Sequence, residues 1–315
     1  MPRPRPSKSR SAAAAPSPEA LEGAVRATVL RVFPGSCQVH FEGGEALARR
    51  PPLEPVTVGD QVWLGDPATA PRVLAIQPRR TVLSRPDPHD PGRELLIAAN
   101  VDVVVVVLAV KNPPFHPRLL DRYLVAAGRG GAEAVVCLNK LDLATADERL
   151  ALADTLGEYA QAGISVHPCS AETGEGLEAI RERITGRVCV FAGHSGVGKS
   201  SLVAALLPES GARVGAVSPA HGKGRHTTTG SELYALADGT RVIDTPGVRS
   251  FGLWAVDARA LGWYFPDFDA HRGGCRFSDC THSHEPRCGV REAARAGALS
   301  AARYDTYLRI LASLG

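Results

Sequence analysis

Gly193-His194-Ser195-Gly196-Val197-Gly198-Lys199-Ser200 is the stretch from which the rest of the chain can be read. It fits G-x-x-x-x-G-K-[ST]. The apolar run Val188–Ala192 precedes it and a helix-forming run, Ser201–Leu207, follows it, which is the strand–loop–helix setting that the pattern requires. Glycines let backbone N–H groups turn toward phosphate oxygens, and the helix N-terminus adds partial positive charge. Lys199 is expected to reach the β- and γ-phosphates, and the Ser200 hydroxyl to ligate Mg²⁺. Residues Gly193, His194, Ser195, Gly196, Val197, Gly198, Lys199, Ser200 and Ser201 form the candidate phosphate shell. The loop alone says nucleoside triphosphate, not which one.

Upstream, Val101–Val110 is dominated by β-branched valines, the mark of a strand buried on both faces. Helical and strand-like stretches then alternate: Leu119–Gly130, Ala134–Leu138, Glu148–Ala162, Ile164–His167 and Gly176–Ile184. Residues 79–250 therefore read as an α/β domain on a parallel sheet. At the end of the Ala134–Leu138 strand stands Asn139-Lys140-Leu141-Asp142. A carboxylate at Asp142 can accept from guanine N1–H and from the exocyclic amine. Adenine lacks that donor pair and would leave a buried charge unpaired. Asn139 can bond the base edge and steady the phosphate loop, while the Lys140 stem covers the ring. Cys169-Ser170-Ala171 fits the small element that backs a guanine, through Ser170 and Ala171. Asp244-Thr245-Pro246-Gly247 follows the strand Arg241–Ile243. There Asp244 would hold Mg²⁺ and the Gly247 N–H would meet the γ-phosphate. Between them, Gly222–Thr229 offers Thr228 or its neighbour Thr229 as the switch threonine on Mg²⁺.

The order of these motifs is informative. An ordinary GTPase runs phosphate loop, switch Thr, DxxG, NKxD, SA; here NKxD and SA come first, so the chain is circularly permuted. The DxxG segment then ends the domain, and Val248–Phe251 leads into the C-terminal residues, a plausible lever.

Hydrophobic residues are 44% and charged residues 22% of the 315, which excludes a disordered or fibrous chain. The longest apolar run, Val103 to Val110, falls far short of the roughly 18 residues of a membrane helix. No secretory h-region is seen, so the expectation is a cytoplasmic protein with no membrane partner. The net charge is +3. Residues 1–20 carry four basic and one acidic residue, so the surplus sits in that tail. The tail reads as a disordered basic arm, either simply solvated or in contact with nucleic acid. Of 36 basic residues only five are Lys, and Lys140, Lys199 and Lys223 fall in or beside the nucleotide motifs.

Residues 21–78 hold short strand-like pieces (Gly23–Phe33, Cys37–Phe41, Val62–Leu64, Val73–Ile76) between Pro/Gly turns, which favours an OB-like barrel. Residues 251–315 hold Cys275-x4-Cys280-x-His282-x5-Cys288, then helical stretches Val290–Ala296 and Ser300–Leu314. Three thiolates and an imidazole make a closed tetrahedral set suited to one structural Zn²⁺, with His284 a competing ligand. Seven cysteines are an odd number, which argues against a disulfide framework.

Over residues 21–315 the chain resembles the circularly permuted GTPases that depend on the small ribosomal subunit, the RsgA or YjeQ family. The resemblance rests on Asn139–Asp142, Gly193–Ser201, Gly224-Arg225-His226-Thr227-Thr228-Thr229, Asp244–Gly247 and the cysteine cluster. His194 stands where that family often has Gln. It implies three folded parts: an N-terminal OB-like β-barrel (21–78), a central permuted α/β P-loop GTPase domain (79–250) and a mostly helical zinc domain (251–315). It also implies a monomer that binds GTP or GDP, the 30S subunit and its 16S rRNA, and assists late subunit maturation by hydrolysing GTP. The alternative is a GTP-gated rRNA-binding module in which hydrolysis is incidental. Val248 follows Gly247 where a Gln could orient water, and Val cannot, so intrinsic hydrolysis is expected to be slow. The expected catalytic set is Lys199, Gly247 and His226. His226 either positions water once the subunit orders its segment, or only packs or contacts rRNA.

Overall fold

The computed structural model describes residues 21–52, 54–90, 92–206, 231–245 and 253–314. The basic tail, His226, Thr228, Thr229, Gly247 and Val248 lie outside them.

The first strands are β1 (Val25–Phe33), β2 (Ser36–Phe41), β3 (Gly44–Arg49), β4 (Gln61–Gly65) and β5 (Arg72–Ile76). They pair in the order β1-β2-β3-β5-β4, and β4 returns to β1, so the sheet closes into a five-stranded barrel. That closure is the OB arrangement and removes free edges. Val29, Cys37, Val39, Ala48, Val62 and Leu64, all 0% exposed, fill it. β3, Gly-Glu-Ala-Leu-Ala-Arg, is absent from the sequence reading because its residues are poor strand formers. It forms because six of its positions pair with β2.

The hairpin β6 (Val82–Pro86) and β7 (Glu94–Ala99) follows, also unread, since Glu-Leu-Leu-Ile-Ala-Ala carries helical propensity. Tertiary contacts override it: Leu83, Ile97 and Ala98 are buried in the main core. Next come β8 (Val103–Ala109), α1 (Pro117–Gly130), β9 (Glu133–Asn139), α2 (Ala146–Gln161), β10 (Ser165–Pro168), α3 (Leu177–Ile184), β11 (Val188–Ala192), α4 (Lys199–Leu206), β12 (Glu232–Ala235) and β13 (Arg241–Asp244). Their sheet order is β10-β9-β8-β11-β13-β12, parallel except for β12. Every residue of β8 and β11 is buried, because helices cover both faces. The two cores lie on opposite sides of that sheet, with alternate β8 residues (Val104 and Val106 against Val103 and Val105) in each.

The barrel and this sheet are one hydrogen-bonded surface, joined where β1 pairs with β12 at Arg31 and Glu232. A second seam runs through Val58-Gly59-Asp60. Ala99 N–H donates to Val58 O (2.9 Å) and Asn100 Nδ2 to Gly59 O (2.9 Å). Gly59 sits at φ +86°, and a Cβ there would lie 2.2 Å from Ala99 O, so glycine is required. Asp60, 0% exposed, accepts both Arg79 Nε (2.7 Å) and Arg79 Nη2 (2.8 Å).

The C-terminal part has short 3₁₀ turns, then α5 (Gly289–Arg295) and α6 (Ala301–Ala312). Its core of Phe265, Phe268, Tyr307 and Ile310 takes in Val125 from α1. Arg303, 3% exposed, donates twice to Asp267 (2.7 and 2.8 Å) and once to Asp121 of α1 (2.5 Å). Among the described residues no helix is long and apolar enough to cross a membrane.

Candidate functional site

Because β8 to β11 and β13 run parallel, their C-terminal ends lie along one edge of the sheet. The chain extends outward to β9 and β10 from β8, and on the other side from β11 to β13. The boundary between β8 and β11 is a topological switch point, where open α/β sheets bind ligands. The loops leaving β9, β10 and β11 carry the NKxD, SA and phosphate-loop motifs, and Asp244 ends β13. A cleft of about 300 Å³ opens there, lined by Asn139, Lys140, Asp142, Ala171, Gly198 and Ser201 among others. Three motifs far apart in sequence therefore share one cavity.

Asn139 ties them together. It is 2% exposed. Its Nδ2 donates to Val197 O in the phosphate loop (3.0 Å) and its Oδ1 accepts from Ala171 N–H (2.9 Å). Gly198 has φ +87°, and a Cβ there would lie 2.4 Å from Asn139 Nδ2. The glycine thus gives both the left-handed turn and the room for this amide. Leu141 N–H donates to Cys169 O (3.0 Å), which binds the NKxD turn to the SA loop a second time.

Asp142 faces the cleft, and its Oδ1 accepts from Ser170 Oγ (2.5 Å). Ser170 Oγ in turn accepts from the N–H groups of Glu172 and Thr173 (both 3.2 Å). The carboxylate is thereby oriented while its other oxygen stays available to a ligand. Lys140 is at φ +63°, and its ammonium donates to the Asn112 carbonyl in the loop after β8. Lys199 Nζ donates to Gly193 O (2.7 Å) and His194 O (2.8 Å), so the ammonium lies within the loop it belongs to. His194 and Ser195 are exposed, while Val197 is buried and anchors the loop in the core.

Asn112, Leu143 and Glu172 also line the cleft and escaped the sequence reading. Asn112 acts on Lys140 through its backbone carbonyl, which leaves no side-chain signature. The only available signal is that Val110-Lys111-Asn112-Pro113-Pro114 leaves the central strand at its carboxyl end.

The second site is in the C-terminal part. One ligand atom from each of Cys275, Cys280, His282 and Cys288 lies within 4.8 Å of the others. Cys275 Sγ and Cys288 Sγ are 3.9 Å apart, and each is 3.5 Å from His282 Nδ1. A tetrahedron with metal–sulfur bonds of about 2.3 Å has edges of about 3.8 Å, so the cluster fits such an ion. Burial, aided by Arg272, lowers the His282 pKa to about 4 and keeps the imidazole neutral, which is the ligating form. Cys288 also caps α5, its Sγ accepting from Arg291 N–H (3.4 Å). His282 is 6% exposed and packs edge-on against Phe268. His284 is exposed and bonds Ser283 through Nδ1, outside the cluster. Tertiary packing therefore brings His282, not His284, to the thiols.

A family model described as RsgA GTPase matches residues 76–254. The small ribosomal subunit biogenesis GTPase RsgA of Shewanella oneidensis is 46% identical over 242 residues, covering 77% of this chain and 68% of its own. The protein of the same name from Gemmatimonas aurantiaca is 43% identical over 258 residues, covering 81% and 83%. The crystal structure of YjeQ from Thermotoga maritima superposes with a TM-score of 0.75 at 30% identity, over 92% of this chain and 98% of that one. That of YloQ, described as a circularly permuted GTPase, gives a TM-score of 0.70 at 26% identity, over 92% and 94%.

Proposed function

Since this chain belongs to the RsgA GTPase family, we propose that it hydrolyses GTP to GDP and phosphate while bound to the small ribosomal subunit, as a cytoplasmic monomer that assists late subunit maturation and contacts 16S rRNA. The observation that carries the nucleotide assignment is the Asn139–Val197–Ala171 network with Asp142 oriented beside it. It supports this reading because a carboxylate with an oxygen open to a base donor stands beside a phosphate-loop pattern.

In this reading Asp142 recognises the base, Ser170 and Ala171 back it, and Lys140 covers it. Gly193 to Ser201 hold the phosphates, with Lys199 neutralising charge at the transferring group. Ser200 and Asp244, with Thr228, would hold Mg²⁺, which would neutralise negative charge on the phosphates. Gly247 and His226 complete the catalytic set. Cys275, Cys280, His282 and Cys288 would hold one structural Zn²⁺. It would supply folding free energy, since four ligands leave no open position for catalysis. The functional parts are a tail (1–20), a barrel (21–78), the GTPase domain (79–250) and the zinc domain (251–315).

The test is GTP turnover by the purified protein with and without small ribosomal subunits. Strong stimulation by the subunits is expected. Turnover that is equal in both conditions refutes subunit-dependent hydrolysis and leaves at most a GTP-gated binding role.

A further inference from the structure

Arg149 lies near the start of α2 and belongs to none of the nucleotide motifs, yet it reaches two of them. Its Nη2 donates to the Leu141 carbonyl (3.0 Å), directly before Asp142. The same guanidinium grips Glu175 with both nitrogens, Nη1 to Oε1 (2.8 Å) and Nη2 to Oε2 (3.2 Å). The Glu175 carbonyl accepts from Ser170 N–H (2.9 Å), and Ser170 Oγ donates to Asp142 (2.5 Å). The connections form a closed ring: Arg149, Leu141-Asp142, Ser170, Glu175 and back to Arg149.

The base of the ring is itself fixed. Thr145 and Glu148 form a reciprocal cap at the start of α2, with Thr145 N–H donating to Glu148 Oε2 (2.8 Å) and Glu148 N–H to Thr145 Oγ1 (3.3 Å). Lys111, in the loop after β8, pairs with Glu148 (2.6 Å). Arg149 therefore projects from an anchored helix end to the two loops that carry Asp142 and Ser170.

We propose that Arg149 and Glu175 are positioning residues for base specificity: their bidentate pair sets the distance between the NKxD turn and the SA loop, and so the aim of the Asp142 carboxylate. The proposal rests on the assignment of this cleft to a guanine nucleotide. The pair is partly exposed (39% and 47%), and an exposed pair contributes little to global stability. Its effect is therefore local. A carboxylate free to drift loses its directed bond to the guanine 2-amino group, whereas contacts to the phosphates are unaffected. Hypoxanthine lacks that amine, which makes inosine diphosphate the discriminating probe.

The experiment measures dissociation constants of GDP and inosine diphosphate by competition with a fluorescent guanine nucleotide, for the full chain, R149A and E175Q. The expected result is that the preference for GDP over inosine diphosphate falls by about three- to tenfold in R149A and by less in E175Q. Melting temperatures are expected to stay at the parent value. An unchanged preference in both variants overturns the proposal. So does equal weakening of both nucleotides, which is what a merely structural role would produce. If the parent chain itself binds GDP no better than inosine or adenosine diphosphate, the guanine assignment fails instead, and the clasp falls with it.

Discussion

Replacing Asn139 by Ala removes a single amide that serves two segments at once. Val197 O loses its donor at 3.0 Å and Ala171 N–H loses its acceptor at 2.9 Å, at a position only 2% exposed. Each buried backbone group left unpaired costs about 1–3 kcal/mol. Ala171 is only half-buried and can recruit water, so its share falls at the low end. The sum is about 2–4 kcal/mol, or roughly 30- to 1,000-fold in nucleotide affinity if the loops must be re-aligned on binding. Asn139→Asp is expected to be no better. Its carboxylate can still accept from Ala171 N–H, but it sets a negative oxygen against the Val197 carbonyl. Fluorescent GDP titration measures the affinity, and amide hydrogen exchange of Ala171 and the phosphate loop reports the loops directly. A loss below threefold in N139A, with Ala171 exchange unchanged, refutes the view that this amide is the tie between base and phosphate loops.

Gly198→Ala places a Cβ 2.4 Å from Asn139 Nδ2 at φ +87°, so GDP binding in this variant should fall at least as far as in N139A, read by the same titration. Removal of metal by a chelator, or Cys288→Ser, should collapse the C-terminal core while leaving GDP binding measurable; metal analysis and near-ultraviolet dichroism check this. Arg303→Ala strands Asp121 and Asp267 and should destabilise the chain by about 3–5 kcal/mol near pH 8. Burial already raises the Asp121 pKa from 3.8 to about 6, a value that Arg303 holds down. The folded state therefore takes up a proton, and stability from this group is lost as pH rises from about 4 through 6. Without Arg303 the pKa climbs further, so the R303A defect should shrink at pH 5; denaturation at pH 5 and 8 that shows equal defects rules this out.

The legible parts of the fold were those whose signal is continuous. The all-apolar runs of β8 and β11 pointed to a sheet covered on both faces, and the loop after β11 pointed to a nucleoside triphosphate. β3, β6, β7 and β12 escaped because their sequences have weak or contrary propensity, and each forms through strand pairing that local propensity does not record: β3 with β2, β6 with β7, and β12 with β13 and β1. β12, Glu-Leu-Tyr-Ala, is ordered between β13 and the barrel strand β1. The zinc-type cluster was legible as a ligand set, but the choice between His282 and His284 was not, since both lie within the same short turn.

The sequence by itself determined which motifs are present and in what order: the phosphate-loop pattern, the Asn139–Asp142 tetrapeptide, the permuted motif order and the Cys₃His set. The loop, the tetrapeptide and the ligand set are each short local patterns, and their order is read directly along the chain. Only the tertiary structure decided how these runs meet. It placed Asn139 between Val197 and Ala171, closed the Arg149 ring around Asp142, joined β1 to β12, and buried Arg303 between two acids. Those contacts depend on strand order and on which side chains are excluded from water. Both are properties of the whole packed chain, and no short window of sequence records them.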